Sequence, residues 1–105
     1  MKLLPVLSLG LSGLLLATSN AWPADPQRLR TRALAATCAQ CHGTDGRAVE
    51  GQALVRLAGQ PKGSLMTQLL AFRSGQRPAT IMHQITRGYS QEQLDEVATY
   101  FAGLQ

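Results

Sequence analysis

TCAQCHG, residues 37–43, is the stretch on which the reading of this chain turns. It sets Cys38, Cys41 and His42 within five positions. Two thiols and an imidazole that close suit three chemistries: a redox dithiol, half of a zinc site, or the covalent anchor of a haem. A redox Cys-x-x-Cys is expected beside a βαβ pattern, and nothing in this chain alternates convincingly as a sheet. A disulfide between residues three apart closes a small loop and stabilises little. Tetrahedral zinc needs four ligands, and only His83 remains to join Cys38, Cys41 and His42. Adjacent Cys41 and His42 are also awkward in one tetrahedron. The haem alternative uses each residue type for its own reason. Two thiols on one helical turn can add across the two vinyl groups of haem, and the histidine after the second thiol then lies beneath the iron. C-x-x-C-H is the attachment signature of c-type haem.

The segment before this motif divides in two. Lys2 gives one positive charge, Leu3–Leu16 is a run of about 14 residues without an acid, and Ala17-Thr18-Ser19-Asn20-Ala21 follows. Charged start, apolar middle and small-residue exit make a secretory signal peptide. The run is short of the ~20 residues that a spanning helix needs; an uncleaved membrane anchor is the alternative. Ser19 and Ala21 place small residues at −3 and −1, which favours cleavage after Ala21. Cleavage after Ala24 would set bulky Trp22 at −3. The expected mature chain is one domain, residues 22–105, in the periplasm, with no stable membrane insertion once the leader is gone. Export agrees with haem attachment, which takes place outside the cytoplasm.

A domain of 84 residues buries a modest share of its surface, and small domains commonly recruit disulfides, metals or cofactors. Its aromatic stock is Trp22, Phe72, Tyr89, Tyr100 and Phe101, so something else must fill the core. Without Lys2 it holds nine basic residues against six acidic ones, a formal net charge of +3. Nucleic acid is a poor partner for an exported chain with no interleaving of aromatic and basic residues. Arg28, Arg30 and Arg32 suit either a solvated helix face or a surface that steers an acidic protein.

Helix signals run through the rest, predicting an all-α fold. Asp25-Pro26 is an N-cap with proline at the first helical position, and Leu29, Ala33, Ala36 and Cys38 follow without a breaker. The cysteines are therefore expected at the end of one helix, which Gly43 stops. Gly43, Gly46, Gly51 and Gly59 punctuate a loop to Pro61. A second helix runs from Lys62 or Gly63 to Ser74, carrying Leu65, Met66, Leu69, Leu70 and Phe72. Ile81, Met82 and Ile85 have the spacing of one face of a short helix, the favoured reading, although Thr80–Thr86 could pass for a short strand by propensity. Ser90 with Gln93 forms a capping box, and Leu94, Val97, Ala98 and Phe101 form the apolar stripe of the last helix.

A haem reading needs a sixth ligand, and Met66, Met82 and His83 are the candidates. Met66 has the spacing of a core residue. Met82 lies forty residues beyond His42, after a proline-containing turn, far enough to reach the opposite haem face; ordinary core filling is its alternative. His83 points away from Met82 and is expected to face solvent or to be hydrogen-bonded.

CAQCHG at 38–43, LAGQ at 57–60, FRSGQR at 72–77, Met82 eight residues before Ser90, and the terminal ATYFAGL together resemble a class I c-type cytochrome over residues 30–104. More narrowly, TIMHQITRGYSQEQLDEVATYF is similar to the cytochrome subunit of sulfide dehydrogenase, the flavocytochrome c of sulfur-oxidising bacteria. The resemblance implies four to five helices around one haem c, thioethers at Cys38 and Cys41, and iron held by His42 and Met82. It also implies that the Gly88-Tyr89-Ser90 turn lies close to the haem. Val55 stands where the family often has a proline whose carbonyl receives the ligand histidine's other N–H. Any residue has that carbonyl, so the bond is available in a less rigid loop. The function implied is one-electron transfer to and from redox proteins, with no catalysis of its own. The expected donor is an FAD-bearing, sulfide-oxidising flavoprotein; a free shuttle between redox enzymes is the alternative. A haem enzyme with an open iron site would require that Met82 not ligate.

Overall fold

A computed structural model describes residues 23–51 and 54–105. The signal peptide expected over residues 1–21 lies outside the described residues. Five helices follow in order: α1 (Pro26–Ala36), α2 (Ala39–His42), α3 (Lys62–Ser74), α4 (Met82–Arg87) and α5 (Gln91–Ala102), with a 3-10 turn at Thr44–Gly46. There is no strand among the described residues, and no described helix is long and apolar enough to cross a membrane.

Local chemistry sets the ends of these helices. Asp25 accepts the Gln27 N–H at 3.0 Å, and Pro26 opens α1. Gly75 closes α3 in the left-handed conformation at φ +80°, which glycine adopts without steric cost. At α5, Ser90 Oγ accepts the Gln93 N–H at 3.1 Å and Gln93 Oε1 accepts the Ser90 N–H at 2.9 Å, the reciprocal capping box.

α5 is the spine of the fold. Its Leu94, Val97, Ala98 and Phe101 are all buried, and α1 and α3 both pack on it while α4 packs chiefly on α3. Ala35 and Ala98 have almost no exposure and sit in the same core cluster with Leu65, Val97 and Phe101. The 3-10 turn fits against this spine through Gly46. At φ +67° it is in the left-handed region, and a Cβ there would stand 2.8 Å from both Leu57 Cβ and Phe101 Cε1.

The expected single helix from Pro26 into the cysteines is instead two. Thr37 and Cys38 bond to carbonyls three residues back, Leu34 at 3.3 Å and Ala35 at 3.1 Å. The Thr37 hydroxyl donates to the Leu34 carbonyl at 2.8 Å, offering that carbonyl an alternative to the helical ladder. The chain turns there and starts again at Ala39. Leu29 is left 54% exposed, so α1 packs through Ala35 and, in part, Leu34.

Tyr100 Oη donates to Asp45 Oδ1 at 2.9 Å and ties the 3-10 turn to α5. Burial, then that hydrogen bond and the Asp45 charge, push the Tyr100 phenol above its ordinary value, against a pull from Arg32 and Arg28. The folded state thus holds the phenol neutral more firmly than the unfolded chain does. Its contribution is complete below the unfolded tyrosine pKa of about 10 and is lost as pH rises through the higher folded value. The expected result is a urea midpoint that falls above roughly pH 10, and less steeply in Tyr100→Phe; identical alkaline slopes in the two proteins would refute it.

Candidate functional site

The α1–α2 break aims the two sulfurs. Cys38 is the N-cap of α2, its carbonyl receiving the N–H groups of Cys41 at 3.3 Å and His42 at 3.0 Å. Gly43, at φ +82°, ends α2 and turns the chain back so that the Ala48 N–H reaches the His42 carbonyl at 2.8 Å. A Cβ on Gly43 would come within 3.0 Å of the Ala48 carbonyl carbon, backbone that has little room to yield. The two sulfurs are not joined to each other; Cys38 is half-buried and Cys41 exposed. Burial pushes the Cys38 thiol above its ordinary value, more than its contact with Thr37 draws it down.

His42 Nδ1 lies 2.8 Å from the Val55 carbonyl oxygen. A carbonyl only accepts, so Nδ1 carries the proton and Nε2 keeps its lone pair for a metal. The bond that the Val55 carbonyl left available is present.

These groups border a cavity of about 480 Å³. Leu65, Leu69 and Phe72 of α3 form one wall; Val97, Ala98 and Phe101 of α5 form another. Met82 and Ile85 of α4 line it, as does Ile81, which the structure places at the non-helical N-cap rather than on the helix, together with Cys38, Cys41 and His42. The four expected site residues therefore meet at one cavity. Met66 is not among its walls; it packs in part against the core cluster, in the role its spacing indicates. His83 does not line the cavity either. It was expected to face solvent or to be hydrogen-bonded, yet its Nδ1 is buried without a partner. About 100° of helical rotation separates it from Met82, which turns its ring off the cavity. Among the described residues no three His, Cys, Asp or Glu side chains gather as metal ligands, so His83 does not complete a zinc site with Cys38, Cys41 and His42.

A haem fits these walls. Its macrocycle is broad, flat and apolar, and the cavity is walled by aliphatic and aromatic side chains. Leu54, Val55, Ile81 and Ile85 line it while 41–56% exposed, a rim of hydrocarbon that a bound macrocycle would cover. Haem also bears two carboxylates, and Arg77 is the sole charged side chain among the described lining residues. Its guanidinium sits 4.6 Å from the Phe72 ring centroid and donates to Gln68 Oε1. Sequence reasoning took FRSGQR only as part of a resemblance and assigned Arg77 no role. A cation five residues before the candidate methionine ligand was the available signal.

Helices around an apolar cavity edged by C-x-x-C-H define a small haem-binding protein. Residues 30–105 match the Cytochrome c family, and the chain belongs to it. Its cofactor is covalently bound haem c with its iron. The chain is 39% identical over 88 residues to the thiosulfate dehydrogenase electron acceptor of Stutzerimonas stutzeri, covering 80% of this chain and 41% of that one. It is 33% identical over 75 residues to the cytochrome subunit of sulfide dehydrogenase of Chlorobaculum tepidum, covering 71% and 66%. A solved cytochrome c4 from Acidithiobacillus ferrooxidans superposes with a TM-score of 0.67 at 30% identity, covering 77% of this chain and 52% of that one. The chain spans less than two thirds of the length of each of these three relatives.

Proposed function

We propose that Cys38 and Cys41 would hold the haem through two thioethers and that His42 Nε2 and Met82 Sδ would ligate its iron. The observation that carries this reading is the His42–Val55 hydrogen bond at 2.8 Å, which frees Nε2 at the edge of a cavity that Met82 also lines. Each S–H would add across one vinyl group, a step that needs no oxidant. Bound haem supplies an iron that moves between Fe(III) and Fe(II) one electron at a time. With both His42 and Met82 as ligands the iron would have no open position for a substrate, and little would need to reorganise when an electron moves. The Met82 thioether is soft and neutral and favours Fe(II), which raises the potential above that of a second imidazole. The Val55 carbonyl holds the His42 ring in orientation. The walls from α3 and α5 keep water off, and Arg77 meets carboxylate charge at the rim.

In this reading the chain is exported by residues 1–21 and works in the periplasm. Its donor is a sulfide-oxidising flavoprotein, of which it is the haem subunit. The TIMHQITRGYS stretch and the sulfide dehydrogenase relative support that choice. A second reading, a free periplasmic carrier, is supported by the thiosulfate dehydrogenase electron acceptor among the relatives. Affinity purification of the haem-loaded protein from its own cells separates the two. A subunit brings down a flavin-containing chain in constant ratio through an interface of order 1,200 Å² or more. A shuttle comes down alone and reacts at rates that fall as ionic strength rises.

A further inference from the structure

Resting on the assignment of Met82 as the iron's second axial ligand, we propose that Tyr89 and Thr37 form a latch that holds Met82 over the haem and resists its displacement by outside ligands. The Tyr89 and Thr37 hydroxyl oxygens lie 2.7 Å apart, between residues 52 positions apart in the chain. Thr37 commits its one hydroxyl proton to the Leu34 carbonyl at 2.8 Å, so its oxygen accepts and the Tyr89 hydroxyl donates. Thr37 directly precedes Cys38 and lines the cavity. Tyr89 directly follows Gly88, the C-cap of α4, and α4 begins at Met82. The bond therefore joins the wall that carries the thiols and His42 to the short helix that carries Met82.

α4 needs such a tie. It is six residues long and has no side-chain cap at its N-terminus, and it packs chiefly on α3. A helix so short has little stability of its own. Hydrogen bonds pass from the Met82 backbone to the thiol turn without a gap. Buried Thr86 donates its hydroxyl to the Met82 carbonyl at 2.9 Å, and the Tyr89 N–H donates to the Thr86 carbonyl at 3.3 Å. From Tyr89 the side chain reaches Thr37, and Thr37 reaches the end of α1. Tyr89→Phe removes one link and keeps the ring. α4 then swings away from the cavity more often, and the sixth position opens with it.

Imidazole added to the oxidised holoprotein reads that opening, because it binds only when the methionine sulfur leaves. The expected result is that Tyr89→Phe binds imidazole about five- to tenfold more tightly than wild type, the scale of one hydrogen bond. Thr37→Val shows the same gain, the double variant gains no more than either single one, and Thr37→Ser, which keeps the hydroxyl, behaves as wild type. Unchanged imidazole affinity in Tyr89→Phe overturns the latch, even where the urea midpoint falls, because a purely structural bond moves the midpoint alone. Additive effects of the two variants overturn it as well. The axial assignment fails by a different sign: wild-type oxidised protein would lack the methionine–iron charge-transfer band, and the latch would fall with it.

Discussion

Met82→Ala is expected to abolish the charge-transfer band that a methionine sulfur gives oxidised haem iron. The reduction potential should drop on the order of 0.1 V, a fraction of the ~0.8 V span that axial ligands command. The direction follows from ligand softness. A thioether stabilises Fe(II) relative to Fe(III), whereas the water or exogenous base that enters the vacated position is harder and prefers Fe(III). Geometry leaves no ready substitute. Met66 packs against the core cluster and does not line the cavity, and His83 is likewise absent from its walls. If the band survives in Met82→Ala, another sulfur holds the iron and the assignment of α4 as the ligand helix is wrong.

The second large effect is on stability. Phe101→Ala should cost roughly 3–5 kcal/mol, the usual range for deleting a buried aromatic ring. At ~4–8 °C per kcal/mol for a domain of this size, the melting temperature falls by about 12 °C or more. Phe101 is 1% exposed and meets Tyr100 edge to face at 5.5 Å between centroids. The Gly46 turn presses against its ring, its carbonyl accepts the Gly59 N–H at 2.9 Å, and it walls the cavity as well. One truncation thus loosens the spine, the loop and the haem wall together. Phe101→Leu, which keeps most of the volume, should cost under about 1.5 kcal/mol. A loss below about 1 kcal/mol for the alanine variant would show that this ring is not the core's anchor.

Much of this was legible in the chain because the signals were local and agreed with one another. The α3 limits followed from Pro61 before it and Gly75 after it. The Ser90–Gln93 box and the stripe of Leu94, Val97, Ala98 and Phe101 fixed α5, its start and its buried face. The break at Thr37–Cys38 was not legible. Threonine is no breaker by propensity, and only a side-chain hydrogen bond to a carbonyl three residues back turned the chain there. The cavity was legible only in outline: five aromatics beyond residue 21 are too few for a core, but nothing in sequence says where the shortfall lies. It lies at the cavity bordered by Leu65, Leu69 and Phe72 of α3, Met82 and Ile85 of α4, and Val97, Ala98 and Phe101 of α5. The partnerships of Tyr89 with Thr37 and of Tyr100 with Asp45 span more than fifty residues, and no local pattern marks them. His42 and Val55 are a milder case, since the bond needs only a backbone carbonyl and its position came from resemblance.

Mass spectrometry of the protein purified from its own cells, with and without an alkylating reagent, tests the central claim most directly. The account predicts one mass, equal to residues 22–105 plus one haem, unchanged by the reagent because Cys38 and Cys41 are both thioethers. A colourless chain of polypeptide mass alone, gaining two alkyl groups at Cys38 and Cys41, would contradict it.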